Sequence, residues 1–121
     1  MNTAVIGASD NPERYSYKAL VLLREAGHAV FPVHPALETI EGVPVYRSLD
    51  KIQDKIDTIT MYVSPAKQPA MEDAILAAGA RRVIFNPGTE NPGLAEKLRL
   101  AGVKVLEACT LVLLRTGRYG G

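Results

Sequence analysis

Short apolar stretches recur along the chain, separated by amphipathic or polar sequence: Thr3–Ile6, Ala29–Val33, Thr58–Val63, Arg82–Asn86 and Val103–Leu106. Each is rich in β-branched or apolar residues and almost unbroken in hydrophobicity, the pattern of strands covered on both faces in a parallel sheet. Helices are predicted between them. The first runs from about Tyr15 to Ala26 and stops at Gly27, a natural C-terminal glycine. The second, about Ala66 to Ala78, places Met71, Ala74, Ile75 and Ala78 at i, i+3, i+4 and i+7 and ends at Gly79. The third takes Asn91 as its cap and Pro92 in its first turn, presents Leu94, Leu98 and Ala101 on one face, and closes at Gly102.

Between Pro35 and Asp57 the periodicity weakens. Val43-Pro44-Val45-Tyr46 reads as a short edge strand, because proline removes a ladder donor, and Ser48 to Ile52 as one or two helical turns. Leu111 to Leu114 either packs on the domain or serves an interface. With no internal repeat, low-complexity tract or linker, residues 1–121 read as one domain. Alternation of strand and helix with right-handed crossovers implies an α/β fold: a Rossmann-like, doubly wound parallel sheet of about five strands in the order 3-2-1-4-5.

Composition narrows the function classes. A formal net charge of +1 gives no reason to expect nucleic acid or an anionic membrane as partner. The single cysteine, Cys109, rules out an internal disulfide and makes a reducing cytoplasm the expected compartment. Strand-like sequence begins at Thr3 without a basic region or long apolar stretch, so no signal peptide is expected, and Leu111–Leu114 is far too short to span a bilayer. Two histidines, His28 and His34, and one cysteine offer no metal-ligand spacing.

The chemistry gathers at the first strand–helix junction. Thr3-Ala4-Val5-Ile6 runs into Gly7-Ala8-Ser9-Asp10-Asn11-Pro12, an apolar strand ending on a glycine with small residues behind it. Gly7 permits a tight turn and close backbone approach, while loop N–H groups and the positive end of the next helix favour an anion. This is a candidate phosphate-binding loop for a nucleotide-like ligand. A dinucleotide fingerprint would place further glycines at positions 9 and 12 and an acid at the end of the second strand. Here those positions hold Ser9 and Pro12, and the second strand ends in Val33-His34-Pro35 with no carboxylate before Glu38.

Ala4-Val5-Ile6-Gly7-Ala8-Ser9-x-x-Pro12, with Ser16 and Lys18, followed by Val30-Phe31-Pro32-Val33-His34-Pro35, resembles the small stand-alone CoA-binding domain family. It is similar to the N-terminal domain of the succinyl-CoA synthetase alpha subunit. Gly42-x-x-Val45-Tyr46-x-Ser48-Leu49, Tyr62-Val63-Ser64-Pro65, Ala78-Gly79-Ala80 and Asn86-Pro87-Gly88 extend the resemblance over essentially the whole chain. It implies coenzyme A or an acyl-CoA as the small-molecule ligand. Gly7, Ala8 and Ser9, with Asn11, Pro12 and Ser16 around them, would take the pyrophosphate, and Arg14 and Lys18 would neutralise its charge. Pro32, Val33, His34 and Pro35 would wall the adenosine; Val63, Ser64 and Pro65 would lie over the ligand; and the Asn86–Gly88 turn would approach it.

Cys109 follows the last strand, where the family often has a cysteine, and is a candidate thiol contact or mixed-disulfide partner. Ala108, however, stands where an arginine often precedes it. No Ser–His–Asp order or paired carboxylates stand out, and the synthetases keep their phosphorylated histidine in a second domain, so the expectation is binding without catalysis. Two alternatives stay open: a small NAD(P)-binding or thiol-dependent enzyme using Cys109 or His34, and a nucleotide-sensing module acting through a homo-oligomer or partner protein.

Overall fold

Every residue of Thr3–Ile6, Thr58–Met61 and Arg82–Phe85 is buried. These segments, β1, β5 and β6, form the middle of the sheet in a computed structural model that describes residues 1–120. Around them lie α1 (Tyr15–Glu25), β2 (Val30–Val33), the strand pair β3 (Thr39–Ile40) and β4 (Val43–Pro44), α2 (Glu72–Ala77), α3 (Pro92–Leu100), β7 (Lys104–Glu107) and α4 (Thr110–Arg115). The five-stranded sheet is parallel throughout, in the order β2-β1-β5-β6-β7. Counting Val43–Tyr46 as a third strand, the sequence places that segment outside β2, and Tyr46 does join there. Val33 and Tyr46 make an isolated parallel bridge, in which His34 N donates to Tyr46 O and Tyr46 N to Pro32 O, each at 2.9 Å.

Alternation along the strands sorts two cores. Ala4, Ile6, Ile59, Met61, Val83 and Phe85 face one way, onto Ile75 of α2 and Leu94 and Leu98 of α3. Val5 and Ile84 face the other, with Leu20 and Leu23 of α1 and Tyr119. Helices therefore cover both faces, as a doubly wound sheet requires. The second face also carries polar side chains in pairs. Thr3 Oγ1 meets Tyr119 Oη at 2.6 Å, Arg82 Nε donates to Thr58 Oγ1 at 2.8 Å, and Thr60 Oγ1 lies 2.8 Å from Thr110 Oγ1. Buried hydroxyls are tolerable here because each has found a partner.

Two local elements depart from the periodicity. The helix expected from Ala66 to Ala78 is a 3-10 helix over Pro65–Met71, which only then becomes α2. Pro69 lies inside it, and a proline there has no N–H to donate and a ring that crowds the preceding turn. Val43 and Pro44 pair antiparallel with Ile40 and Thr39 rather than extending the main sheet. Leu111–Leu114 belongs to α4, which packs against α1, with Leu111 buried. No helix is long and apolar enough to cross a membrane.

Candidate functional site

The chain leaves β1 toward α1 on one face and leaves β5 toward α2 on the other, so the carboxyl edge of the sheet opens into a crevice between them. That crevice has a volume of about 870 Å³ and is walled by Gly7–Ser9, the start of α1, His34 and Pro35, Tyr62–Ser64, and Pro87–Thr89. Of the residues singled out from sequence, Gly7, Ala8, Ser9, Arg14, Ser16, His34, Pro35, Val63, Ser64 and Gly88 all line it. Elements up to eighty residues apart in sequence thus converge on the first loop, as the topology dictates.

Gly7 has φ +87°, and a β-carbon there would come within 2.9 Å of both the Tyr62 carbonyl carbon and Val63 Cγ2. Glycine is needed both for backbone conformation and for the approach of β5. The amides of Gly7 and Ala8 are not turned outward: both donate to Val33 O at 3.2 Å and tie the loop to the end of β2. The outward donors lie further along. Ser9 N finds no protein acceptor among the described residues. Arg14, the N-cap of α1, places no side chain on the first-turn N–H groups, so this eleven-residue helix begins in the cleft with its amides and positive dipole end uncapped. The Ser9 hydroxyl accepts from Asn11 N at 3.0 Å, and Asn11 Oδ1 from Glu13 N at 3.0 Å, which shapes the loop leading into the helix.

His34 is held in a defined orientation. Its Nδ1 accepts from Ala36 N at 3.0 Å and Leu37 N at 3.1 Å, so the neutral ring carries its proton on Nε2, the atom left to face a ligand. Tyr62 is the unusual group. Its Oη is buried with no hydrogen-bond partner, beside the Thr60 and Thr110 hydroxyls, which bond one another. Burial pushes its phenol up to about 12, so it stays protonated at physiological pH.

A smaller apolar lobe of about 290 Å³ continues from the crevice, sharing Gly7, Pro35, Val63 and Met71 with it. Ile6, Val33, Leu49 and Ala74 line the lobe, and Arg47, Ser48 and Asp50 stand at it from the turn after the Tyr46 bridge. Sequence reading did not single out Lys67, Met71, Tyr62, Arg47 or Asp50 as site residues. The signal for Lys67 was its position three residues beyond Ser64; nothing local marked Arg47 or Asp50, although Ser48 and Leu49 between them belong to a motif that carries the resemblance.

Other candidates sit elsewhere. Asn86 is buried, with Nδ2 donating to Thr60 Oγ1 at 2.7 Å and Met61 O at 2.8 Å and Oδ1 accepting from Thr110 N at 2.8 Å. It clamps β5, β6 and α4 beneath the cleft. Lys18 extends over the Tyr15 ring, 5.6 Å from its centroid, rather than along the crevice wall. Pro32 is buried within β2, while Asn11, Pro12 and Pro65 are exposed beside the cleft without lining it. Cys109 is half-buried at the start of α4, also away from the lining. Gln68 holds the wall together, donating to Val63 O and Thr89 O while Asn91 Nδ2 donates to its Oε1. Among the described residues, no three His, Cys, Asp or Glu side chains gather as metal ligands.

This arrangement can hold an extended ligand with an anionic centre and an apolar end, and the chain resembles known proteins in sequence and fold. An uncharacterized protein of Bacillus subtilis, YneT, is 27% identical over 103 residues, 85% of this chain and 76% of YneT. The alpha subunit of an ADP-forming acetate–CoA ligase II from Pyrococcus furiosus is 37% identical over 65 residues, 53% of this chain but 14% of that subunit. A crystal structure of an uncharacterized protein superposes with a TM-score of 0.91 at 36% identity, covering 97% of this chain and 96% of that one. Over residues 1–115 the sequence matches the family described as CoA binding domain, and the protein belongs to it.

Proposed function

We propose that the protein binds coenzyme A or an acyl-CoA in the two-lobed cleft, in the cytoplasm, without a reaction of its own. The observation that carries this reading is the start of α1: eleven residues of helix open into the crevice with no side chain capping the first turn. Orphan amides and the positive dipole end favour a diphosphate there. Ser9 N, Ser16 and the Arg14 guanidinium supply further donors, and Lys67 adds a cation from the opposite wall. Gly7 lets its loop pack against Tyr62 and Val63, and Ser9 N is a loop amide left for the ligand.

The apolar lobe suits an adenine ring, with Val33, Leu49, Val63 and Met71 as its walls. His34 Nε2 is positioned to donate to a phosphate or ribose oxygen. When bound, coenzyme A supplies a thiol that carries acyl groups as thioesters. The Tyr62 phenol, buried beside the crevice, is held protonated, His34 spends Nδ1 on the backbone, and Glu13, a carboxylate of the lining, hydrogen-bonds to neither of them. That set serves binding better than proton transfer. Isothermal calorimetry with CoA, acetyl-CoA, NAD and NADP tests the reading. A saturable one-to-one heat with CoA or acetyl-CoA is expected; tight NAD binding with silent CoA would overturn it.

A further inference from the structure

We propose that Arg47 and Asp50 read the ribose of the bound nucleotide, Arg47 taking a phosphate carried on the adenosine ribose and Asp50 a neighbouring hydroxyl. The protein then selects coenzyme A over its form lacking that phosphate. This rests on the CoA-binding reading and adds a specificity determinant to it.

In a sheet of this topology the adenosine ribose lies at the end of the second strand, where a carboxylate binds its hydroxyls or an arginine accommodates a ribose phosphate. Here the strand ends in Val33-His34-Pro35 and has neither group. The fold brings both from a later segment. The parallel bridge between Val33 and Tyr46 lays residues 46–50 beside the end of β2, and Arg47 Nη1 donates to Pro35 O at 3.2 Å. That bond anchors the guanidinium over the strand end and leaves its other N–H donors without a protein partner among the described residues.

Asp50 lines the same lobe, one residue into the short 3-10 helix Leu49–Lys51. The Ser48 hydroxyl beside it holds its carboxyl below the ordinary value, so it is ionised and accepts hydrogen bonds only. Arg47 and Asp50 form no ion pair with each other among the described residues, although both stand at one lobe. A cation and an acceptor at one lobe that do not neutralise one another match a ribose phosphate flanked by a hydroxyl. A plain ribose diol offers Asp50 its donors but gives the Arg47 guanidinium no charge to pair with.

Titrations of the wild-type chain, Arg47→Gln and Asp50→Asn with CoA and with dephospho-CoA test this. Both side chains are exposed, so neither variant disturbs the core. The wild type is expected to bind CoA roughly ten- to a hundredfold more tightly than dephospho-CoA, the range of a charge-assisted, forked contact. Arg47→Gln should bring that ratio close to one by weakening CoA alone, and Asp50→Asn should weaken both ligands alike. Equal wild-type affinity for the two ligands, or an unchanged ratio in Arg47→Gln, overturns the assignment while CoA binding stands. If neither ligand binds the wild type, the CoA reading fails and this assignment fails with it.

Discussion

A β-carbon on Gly7 would stand 2.9 Å from the carbonyl carbon of Tyr62, closer than packed atoms allow. The contact exists because Tyr62 N donates to Ile6 O at 2.8 Å, which carries the β1–β5 pairing one residue past the strands and brings the two loops face to face at the cleft. Gly7→Ala therefore meets two penalties, a left-handed backbone and a collision with main chain that cannot rotate away. Gly27 has nearly the same φ, +88°, but nothing within 4 Å of its notional β-carbon. The pair separates the two effects. Gly27→Ala should cost about 1 kcal/mol and Gly7→Ala roughly 2–4 kcal/mol in urea denaturation, with ligand binding lost only in the latter.

Asn86 should prove structural. Asn86→Leu strips partners from Thr110 N, Met61 O and Thr60 Oγ1 in a buried setting, at a cost of about 2–4 kcal/mol. Asn86→Asp is the sharper probe. An ionised Asp keeps an acceptor for Thr110 N but turns an anion toward the Met61 carbonyl, so the loss of stability relative to wild type should be larger at neutral pH than at pH about 4. The same difference from wild type at the two pH values would count against the assigned orientation.

The Tyr62 hydroxyl has no partner, so Tyr62→Phe removes a polar atom that gains nothing from the fold. Stability should be unchanged or higher by up to about 1 kcal/mol. Spectrophotometric titration of the wild type should show a phenol ionising at about 12 that the variant loses, while Tyr119, which burial also pushes up, remains in both.

His28 sets a pH dependence at the opposite end of the sheet. Burial, then the charge of the Met1 ammonium and of Arg82, lowers its pKa below 6.5, with Asp57 opposing. The ammonium donates to His28 Nδ1 at 2.8 Å, a bond that needs an unprotonated ring. The ring also packs edge-on against Tyr119, 5.0 Å between centroids, and Tyr119 in turn lies beneath the buried Arg82 guanidinium at 4.4 Å. Below pH 6.5 the unfolded chain takes up the His28 proton before the native one does. Stability should thus be flat above that pH and decline as pH falls toward the lowered native value. His28→Gln should flatten this part of the urea midpoint–pH curve; an unaltered slope would contradict the linkage.

Local chemistry determined much of this protein. The short runs Thr3–Ile6, Thr58–Met61 and Arg82–Phe85, rich in apolar and β-branched residues and bounded by turn signals, read as strands buried on both faces. Asn91, whose Oδ1 accepts from Leu94 N at 3.1 Å, starts its helix as its side chain dictates. The first loop was legible for the same reason: Gly7 and the small residues after it are contiguous, and their conformational freedom belongs to the residues themselves.

What the tertiary structure decided is what distant segments do to one another. Asn86 reads as a turn residue near a ligand, yet the hydroxyl of Thr60, the carbonyl of Met61 and the amide of Thr110 draw it inward. The Gly7 and Ala8 amides look available until Val33 O, at the end of a neighbouring strand, accepts both. Arg47 and Asp50 carry no local mark, because their place at the apolar lobe follows from a single bridge between Tyr46 and Val33. Hydrogen-bond partners and cleft walls are set by crossover connections, whose long-range pairings leave no periodicity in the segments they join.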